Sequence, residues 1–326
     1  MTVLITGGAG YVGSHALREL RADGVSCVVL DNLTRGHREL VLDADLIVGD
    51  VADATLVRRI IADYRVSAVM HFAAYAYVGE STTEPLMYYA NNVAATISLL
   101  SAIIQSDVRT IVFSSTCATY GVPEAIPITE DHPQRPINPY GATKLMVERI
   151  LQDAGRAHGL RSVILRYFNA AGADPLGAIG EWHAPETHLI PLALEVAAGY
   201  RDVVEIYGTD YPTADGTCVR DYIHVVDLAR AHVLGLRYLE SGRPSAVFNL
   251  GNGNGFSVRR VIDTVQKVTG RPVSSKIAPR RAGDPPVLVG SAEKARQALG
   301  WTPRFDSLEA IVETAWNWHS TRRSSR

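Results

Sequence analysis

The feature that most constrains this chain is the passage from residue 3 to residue 24. Val3-Leu4-Ile5 is a short buried-strand pattern, Gly7-Gly8-Ala9-Gly10-Tyr11-Val12-Gly13 follows at once, and a helical pattern runs through Leu17 and Leu20 to Asp23-Gly24. Strand, glycine turn and helix follow in that order, with Gly-x-Gly-x-x-Gly spelled by Gly8, Gly10 and Gly13. Such a turn is tight, and a Cβ in it would keep the backbone away from a pyrophosphate. The phosphates then rest on the free N–H groups at the start of the helix. Glycine-rich turns are common, so the chain beyond must decide whether this one binds a dinucleotide.

The strand-and-helix alternation continues. Cys27-Val28-Val29-Leu30 reads as a second strand and ends in Asp31, eighteen residues after Gly13. A carboxylate there suits the ribose hydroxyls of an adenosine and repels a 2′-phosphate, which favours NAD over NADP, although Arg35 nearby is of the kind that accommodates such a phosphate. Leu46-Ile47-Val48 leads into Asp50 and Val51, with the carboxylate placed for an adenine amine. Ala68-Val69-Met70-His71-Phe72 leads into the small pair Ala73-Ala74, Thr110-Ile111-Val112-Phe113 into Ser114-Ser115-Thr116, and Ser162 to Arg166 forms one more strand. Near-continuous apolar strands between helical stretches imply a doubly wound parallel sheet of Rossmann type, with ligands at the carboxyl ends of the strands. His71, inside a strand, reads as a structural residue.

A second constellation is Tyr140-Gly141-Ala142-Thr143-Lys144, opening an amphipathic helix after a proline-rich run from Pro123 to Pro139. Four residues make one helical turn, so phenol and ammonium share a face, and the ammonium favours the phenolate as a base. With 14 Tyr in 326 residues and only four Lys, about 0.2 such pairs arise by chance, so the spacing gains its force from the fold around it.

Composition narrows the class. A hydrophobic share of 47%, a charged share of 20% and a net charge of −2 describe an ordinary globular chain with no attraction to nucleic acid or an anionic membrane. Cys27, Cys117 and Cys218 are far apart with no Cys-x-x-Cys, which fits a reducing compartment; with no basic leader and no run of 18 apolar residues, a cytoplasmic location is expected. No internal repeat is visible. No His-Glu-x-x-His and no zinc spacing was found among the ten histidines, so no metal is expected.

The motifs together resemble the extended short-chain dehydrogenase/reductase superfamily, through Thr6-Gly7-x-x-Gly10-x-x-Gly13, Ser114-Ser115-Thr116 and Tyr140-x-x-x-Lys144. Within it the chain is similar to the UDP-glucose (UDP-galactose) 4-epimerases. His71-Phe72-Ala73-Ala74, Asn91-Asn92-Val93, Arg166-Tyr167-Phe168-Asn169 and above all the block Gly208 to Val225 carry this likeness, which runs from residue 2 to about residue 316.

The resemblance implies that NAD is a resident cofactor, touched by Gly7, Gly10, Tyr11, Val12, Gly13, Asp31, Asn32, Asp50, Val51, Phe72, Ala73, Ala74, Asn91, Ser114, Tyr140, Lys144 and Tyr167. Catalysis would fall to Tyr140, Lys144 and Thr116, with Tyr140 taking the proton of the sugar 4-hydroxyl, Lys144 lowering its pKa and Thr116 holding the 4-oxygen. Thr116, Tyr140, Asn169, His188, Leu189, Tyr207, Arg220, Arg281, Asp284 and Leu288 would hold the UDP-sugar. Residues 1–169 would form the NAD-binding domain and 170–326 a smaller nucleotide-sugar domain, with part of 221–250 returning to the first. A homodimer through 86–104 and 144–158 is implied, with Leu99, Leu100, Ile103 and Leu145 as its apolar positions, while Asp306 to Trp318 reads as a capping helix and Arg322 to Arg326 as a frayed tail.

Two departures stand out. Ala76 occupies a position where several family members have a Lys, and Leu288 is intermediate between the large Tyr that confines substrates to glucose and galactose and the small residues that go with N-acetyl sugars. UDP-N-acetylhexosamines and UDP-pentoses therefore stay open. A dehydratase is disfavoured because Thr116 precedes Cys117-Ala118 instead of Asp-Glu, and a silent NAD-binding protein because Thr116, Tyr140 and Lys144 are all present.

Overall fold

The computed structural model describes residues 1–281 and 284–324. Seven strands form a parallel sheet: β1 (Thr2–Thr6), β2 (Ser26–Asp31), β3 (Asp45–Val48), β4 (Val66–His71), β5 (Thr110–Thr116), β6 (Arg161–Tyr167) and the late strand Ala246–Leu250. From edge to edge they run Ala246–Leu250, β6, β5, β4, β1, β2, β3. The order reverses at β1, between β2 and β4, which is the switch point where a doubly wound sheet opens a crevice. Since every pairing is parallel, Asp31, His71, Thr116 and Tyr167 end their strands at one edge.

Alternation along each strand builds two cores. Val3 and Ile5 face one side with Val29, Met70 and Val112, under the helix Tyr11–Ala22 and the helix Val225–Glu240. Leu4 faces the other with Val28, Val69 and Ile111, under the helices Ala54–Asp63, Ala95–Ile104 and Pro139–His158. The period of two and burial on both faces explain why these strands read as unbroken apolar runs. Helices Leu189–Ala197, Val258–Thr269 and Leu308–Ser324 enclose a third core around Ile190, Val261 and Ile311.

The helix Pro139–His158 starts sharply. Asn138 caps it by accepting a hydrogen bond from the Gly141 N–H at 2.8 Å, Pro139 takes the first position, and Gly159 ends it at φ 70°. Glu148 in its middle meets Arg166 of β6 inside the protein. Arg166 donates from Nε at 3.0 Å and Nη2 at 2.6 Å, and Ser115 and Gln134 donate to the same carboxylate. Arg166 Nη1 also donates to the Tyr120 hydroxyl, which donates to Asn249 at the late strand. The side chains are 4% and 1% exposed, so each charge depends on the other.

Two expectations change. Leu99, Leu100, Ile103 and Leu145 are buried in the monomer and cannot form a dimer face. The segment Pro85–Ile104 is 20 residues long, and a window of 18 within it has a mean hydropathy of 1.2 and is 44% buried, long and apolar enough to cross a membrane by length and composition though not an unbroken apolar run. It contains a π-helical turn at Tyr89–Ala94, where Asn92 turns inward to bond Thr143 and the backbone of Tyr75. The C-terminal helix continues through Arg322, whose guanidinium lies 3.6 Å from the Trp182 ring centroid, so the frayed tail does not begin there; residues 325 and 326 lie outside the described residues.

Arg166→Leu should destabilise the fold by about 3–5 kcal/mol, since it strands the Glu148 carboxylate in the interior. Urea unfolding should show a lower midpoint at unchanged slope; a midpoint within error of wild type would show that Glu148 is satisfied without Arg166.

Candidate active site

A cavity of about 1490 Å³ opens along the carboxyl edge of the sheet, between the strand ends and the third core. Every residue nominated above for NAD, sugar or catalysis lies on its wall. The glycine turn forms one end. Gly7 has φ +73°, and a Cβ on it would come within 2.5 Å of the Ala73 N, while a Cβ on Gly13 would stand 2.3 Å from the Gly7 carbonyl. These glycines are needed first so that turn, helix and the Phe72–Ala73 segment can pack; the bare backbone facing the cavity follows from that packing. Asp31 accepts from the N–H of Ala9 at 3.0 Å and of Leu33 at 2.8 Å, so its carboxylate is aimed before any ligand arrives. Arg35 pairs with Glu80 at 2.5 Å and lies over the rings of Tyr75 and Tyr77, which commits this cation elsewhere than to a 2′-phosphate. The turn, the aimed Asp31 and the size of the cavity fit a dinucleotide without a 2′-phosphate.

Tyr140 and Lys144 project from the first two turns of their helix beside Thr116, the last residue of β5. Lys144 donates to the Ser114 carbonyl at 2.9 Å and lies 4.9 Å from the centre of the Phe113 ring. Burial pushes its pKa down to about 7, with Glu148 pulling the other way. Burial pushes the Tyr140 phenol far above its ordinary value, the neighbouring Tyr167 adds to this, and Thr116, facing the phenol, opposes it. Removal from water sets the direction of the shift for both groups. His71 holds Thr6 and Thr96 through its two ring nitrogens, 2.7 and 2.9 Å away, and stays inside the sheet as the structural residue it was read to be.

The opposite wall comes from the second half of the chain. Arg220 lies 3.3 Å from Asp284 and donates to the carbonyls of Val219 and Pro285, each at 2.9 Å. Arg281 stacks on Tyr207 at 3.9 Å from its ring centroid, and Tyr207 donates to Glu205. Leu288 packs against a small cluster of Tyr120, Ile128 and Phe168 on this wall. Asn169 donates its side-chain amide to the Asp221 carbonyl at 2.9 Å. Arginine is suited to phosphate oxygens, and Arg220 and Arg281 are held in fixed poses by Asp284 and Tyr207.

Sequence spacing missed one feature. Glu181, His183, Glu186 and His188 lie together on the cavity wall; only His188 had been singled out. The signal was Glu-x-His-x-x-Glu-x-His, irregular enough to escape a search for known metal motifs. Burial works against charge on the imidazoles, but the two carboxylates outweigh it and raise His183 to about 9 and His188 to about 10. Burial likewise opposes charge on Glu186, yet its hydrogen bonds to both histidines leave it well below the usual carboxylate range.

Comparison with known proteins places the chain. Residues 3–251 match the NAD dependent epimerase/dehydratase family. The UDP-glucose 4-epimerase of Halalkalibacterium halodurans is 53% identical over 319 residues, covering 98% of this chain and 96% of the relative. The crystal structure of UDP-glucose 4-epimerase from Brucella ovis in complex with NAD superposes with a TM-score of 0.95 at 49% identity, covering 97% of each chain. The UDP-Glc/GlcNAc 4-epimerase of Campylobacter jejuni superposes with a TM-score of 0.87 at 42% identity, covering 98% of this chain and 99% of that one. The chain belongs to the NAD dependent epimerase/dehydratase family.

A buried lysine held down to about pH 7 has a signature in stability. Below about pH 7 the folded and the unfolded lysine are both protonated, and the cost of burying the charge is fully present. As pH rises from 7 towards the unfolded value of about 10.4, the unfolded chain holds more protons and that cost fades. Lys144→Met, which never carries the cost, should therefore show its largest stability advantage at neutral pH and lose it towards pH 10, as read by thermal unfolding of the two proteins. A constant difference across that range would mean that Lys144 is not shifted.

Proposed function

We propose that this chain is an NAD-dependent UDP-hexose 4-epimerase, interconverting UDP-galactose and UDP-glucose through a transient 4-keto sugar. The observation that carries the reading is the convergence of Tyr140, Lys144 and Thr116 with the glycine turn and Asp31 on one cavity whose far wall holds Arg220 and Arg281. The names of the relatives support the sugar, and the family supports the cofactor.

Residues 1–169 hold the cofactor in this reading and residues 170–326 the nucleotide sugar, with part of 221–250 serving the first half. The glycine turn takes the pyrophosphate of NAD and Asp31 its adenosine ribose. When bound, NAD supplies a hydride acceptor and donor together with a positively charged ring. Tyr140 removes the proton of the sugar 4-hydroxyl, Lys144 favours its phenolate and holds a ribose, and Thr116 hydrogen-bonds the 4-oxygen. Arg220 and Arg281 clamp the diphosphate while the keto sugar turns to present its other face, after which Tyr140 returns the proton. Dry surroundings make the phenol a poor acid on its own, so the cations beside it supply what burial removes.

The proposal includes a homodimer. The exposed apolar side chains Leu86, Ile97 and Met146 (81%, 47% and 41%) lie on the segments expected to pair and replace the buried ones first named for that face. Light scattering at micromolar concentration giving a monomer mass would remove it. A cytoplasmic location is part of the same reading and fits free thiols at Cys27, Cys117 and Cys218.

Purified protein given UDP-galactose and no added NAD should form UDP-glucose; no product even with NAD supplied would sink the reading. Tyr140→Phe should lower kcat by roughly 10²–10⁴, and full activity in that variant would reject the assigned base. UDP-N-acetylglucosamine is the second substrate to try, because Leu288 packs on the wall among Phe168 and Tyr120 and Tyr in its place would narrow that wall. Leu288→Tyr should cut kcat/KM on the N-acetyl sugar by about 10-fold or more and spare the plain hexose. Equal turnover by both forms removes Leu288 as the gate.

A further inference from the structure

The acid–imidazole quartet on the cavity wall has the form of a binding site for one small cation. His188 Nδ1 stands 2.7 Å from Glu181 Oε1 and 3.0 Å from Glu186 Oε1, and His183 Nδ1 stands 3.1 Å from Glu181 Oε1 and 3.7 Å from Glu186 Oε2. One ligand atom from each of the four residues falls within 4.8 Å of all the others. A tetrahedral zinc ion with Zn–N and Zn–O bonds of about 2.0–2.2 Å has ligands about 3.3–3.5 Å apart; three of the four contacts lie within about half an ångström of that spacing, and His188 Nδ1 and Glu181 Oε1 at 2.7 Å must draw apart by somewhat more. The carboxylate side chains are 8% and 11% exposed, so two negative charges sit side by side largely out of water. One divalent ion neutralises both, displacing the protons that His183 and His188 share with the carboxylates.

The surroundings orient the ligands. Glu186 Oε1 accepts from the backbone N–H of Thr187 at 2.7 Å and of His188 at 2.8 Å, which fixes that carboxylate in place. The backbone of Glu181 is held by Trp318 Nε1 at 3.0 Å, and the His183 ring meets Tyr11 and Tyr77 edge-on. Such outer contacts are what a metal site needs to keep its ligands aimed.

We propose that Glu181, His183, Glu186 and His188 bind one zinc ion. Two imidazoles and two carboxylates suit a first-row ion of tetrahedral preference and disfavour magnesium and calcium, which take oxygen ligands. Four protein ligands close the coordination shell, so the ion fixes the loop and does not act as a Lewis acid on substrate. The loop it fixes ends at His188, which directly precedes the helix Leu189–Ala197 and its cavity-lining residues Leu189 and Pro191. The ion would thereby set the shape of that wall from outside the reacting centre.

The test needs no turnover. The full-length protein is stripped with a chelator, dialysed, and titrated with zinc chloride by calorimetry and with cobalt chloride by visible absorption. One ion per chain with a Kd below about 1 μM, and the intense visible bands of tetrahedral cobalt(II), are expected. His183→Gln and Glu186→Gln, checked for folding by circular dichroism, should each weaken zinc by roughly 100-fold or more. Absence of stoichiometric zinc binding by the wild-type chain, the weak spectrum of six-coordinate cobalt, or unchanged affinity in folded variants would each overturn the proposal, leaving the quartet as a proton-bridged cluster. The wild-type titration decides the matter even if neither variant folds.

Discussion

The ion pair of Glu148 and Arg166 is the constraint around which the working parts are fixed. Burying two charges costs several kcal/mol each unless their hydrogen-bonding capacity is met inside. Here it is met: Arg166 forks onto the carboxylate, Ser115 and Gln134 donate to it, and Tyr120 takes the remaining guanidinium nitrogen. The contacts span the helix that carries Tyr140 and Lys144, two central strands, and through Asn249 the late strand at the sheet edge. Such a network gives direction more than net stability, because hydrocarbon of the same shape would pack as well but would not specify the helix's register against the sheet.

That register matters because the two groups it positions are held in unfavourable surroundings. A phenol and an ammonium taken out of water both drift towards their neutral forms, as the opposed shifts of Tyr140 and Lys144 record. A surface pair would ionise easily and be screened; a buried pair responds strongly to any charge placed beside it. The two walls of the cavity differ accordingly. The sheet side is pre-set by glycine packing and by backbone hydrogen bonds to Asp31, whereas the far side is built from stacked and paired side chains such as Arg281 on Tyr207 and Arg220 with Asp284. The first suits a ligand that stays and the second a ligand that is exchanged.

Much of this was legible in the sequence because it rests on short-range rules. Two-sided burial wrote itself as runs such as Val28-Val29-Leu30, and the glycine turn and the Tyr140–Lys144 spacing fell where strand ends and a helix start demanded them. What escaped depends on rotation and on distance in space. Leu99, Leu100, Ile103 and Leu145 were read as an outer face, but periodicity does not announce which side of a helix points inward; the sheet claimed the first three, and Leu145 is buried on its own helix. Glu181, His183, Glu186 and His188 meet because an irregular loop folds back on itself, for which no periodicity exists. The depth at which Tyr140 is buried was hidden for a related reason: spacing reveals a neighbour's charge, while burial belongs to the assembled protein.

The seventh strand comes late. Ala246–Leu250 closes the sheet edge against β6, and the helix Val225–Glu240 lays Leu228, Leu236 and Leu239 over the same core as Val3 and Ile5. That helix is itself held from still later in the chain, where Trp301 donates to the Asp227 carbonyl and the Asp227 carboxylate accepts from the backbone of Arg304 and Phe305. During synthesis the first six strands therefore emerge with the β5 and β6 side of one apolar face uncovered until the helix Val225–Glu240 has been made, the helix Tyr11–Ala22 lying over β1 and β2. A chain cut before that helix would keep a bare apolar flank over β5 and β6, so the half that supplies the far wall of the cavity also completes the core of the other.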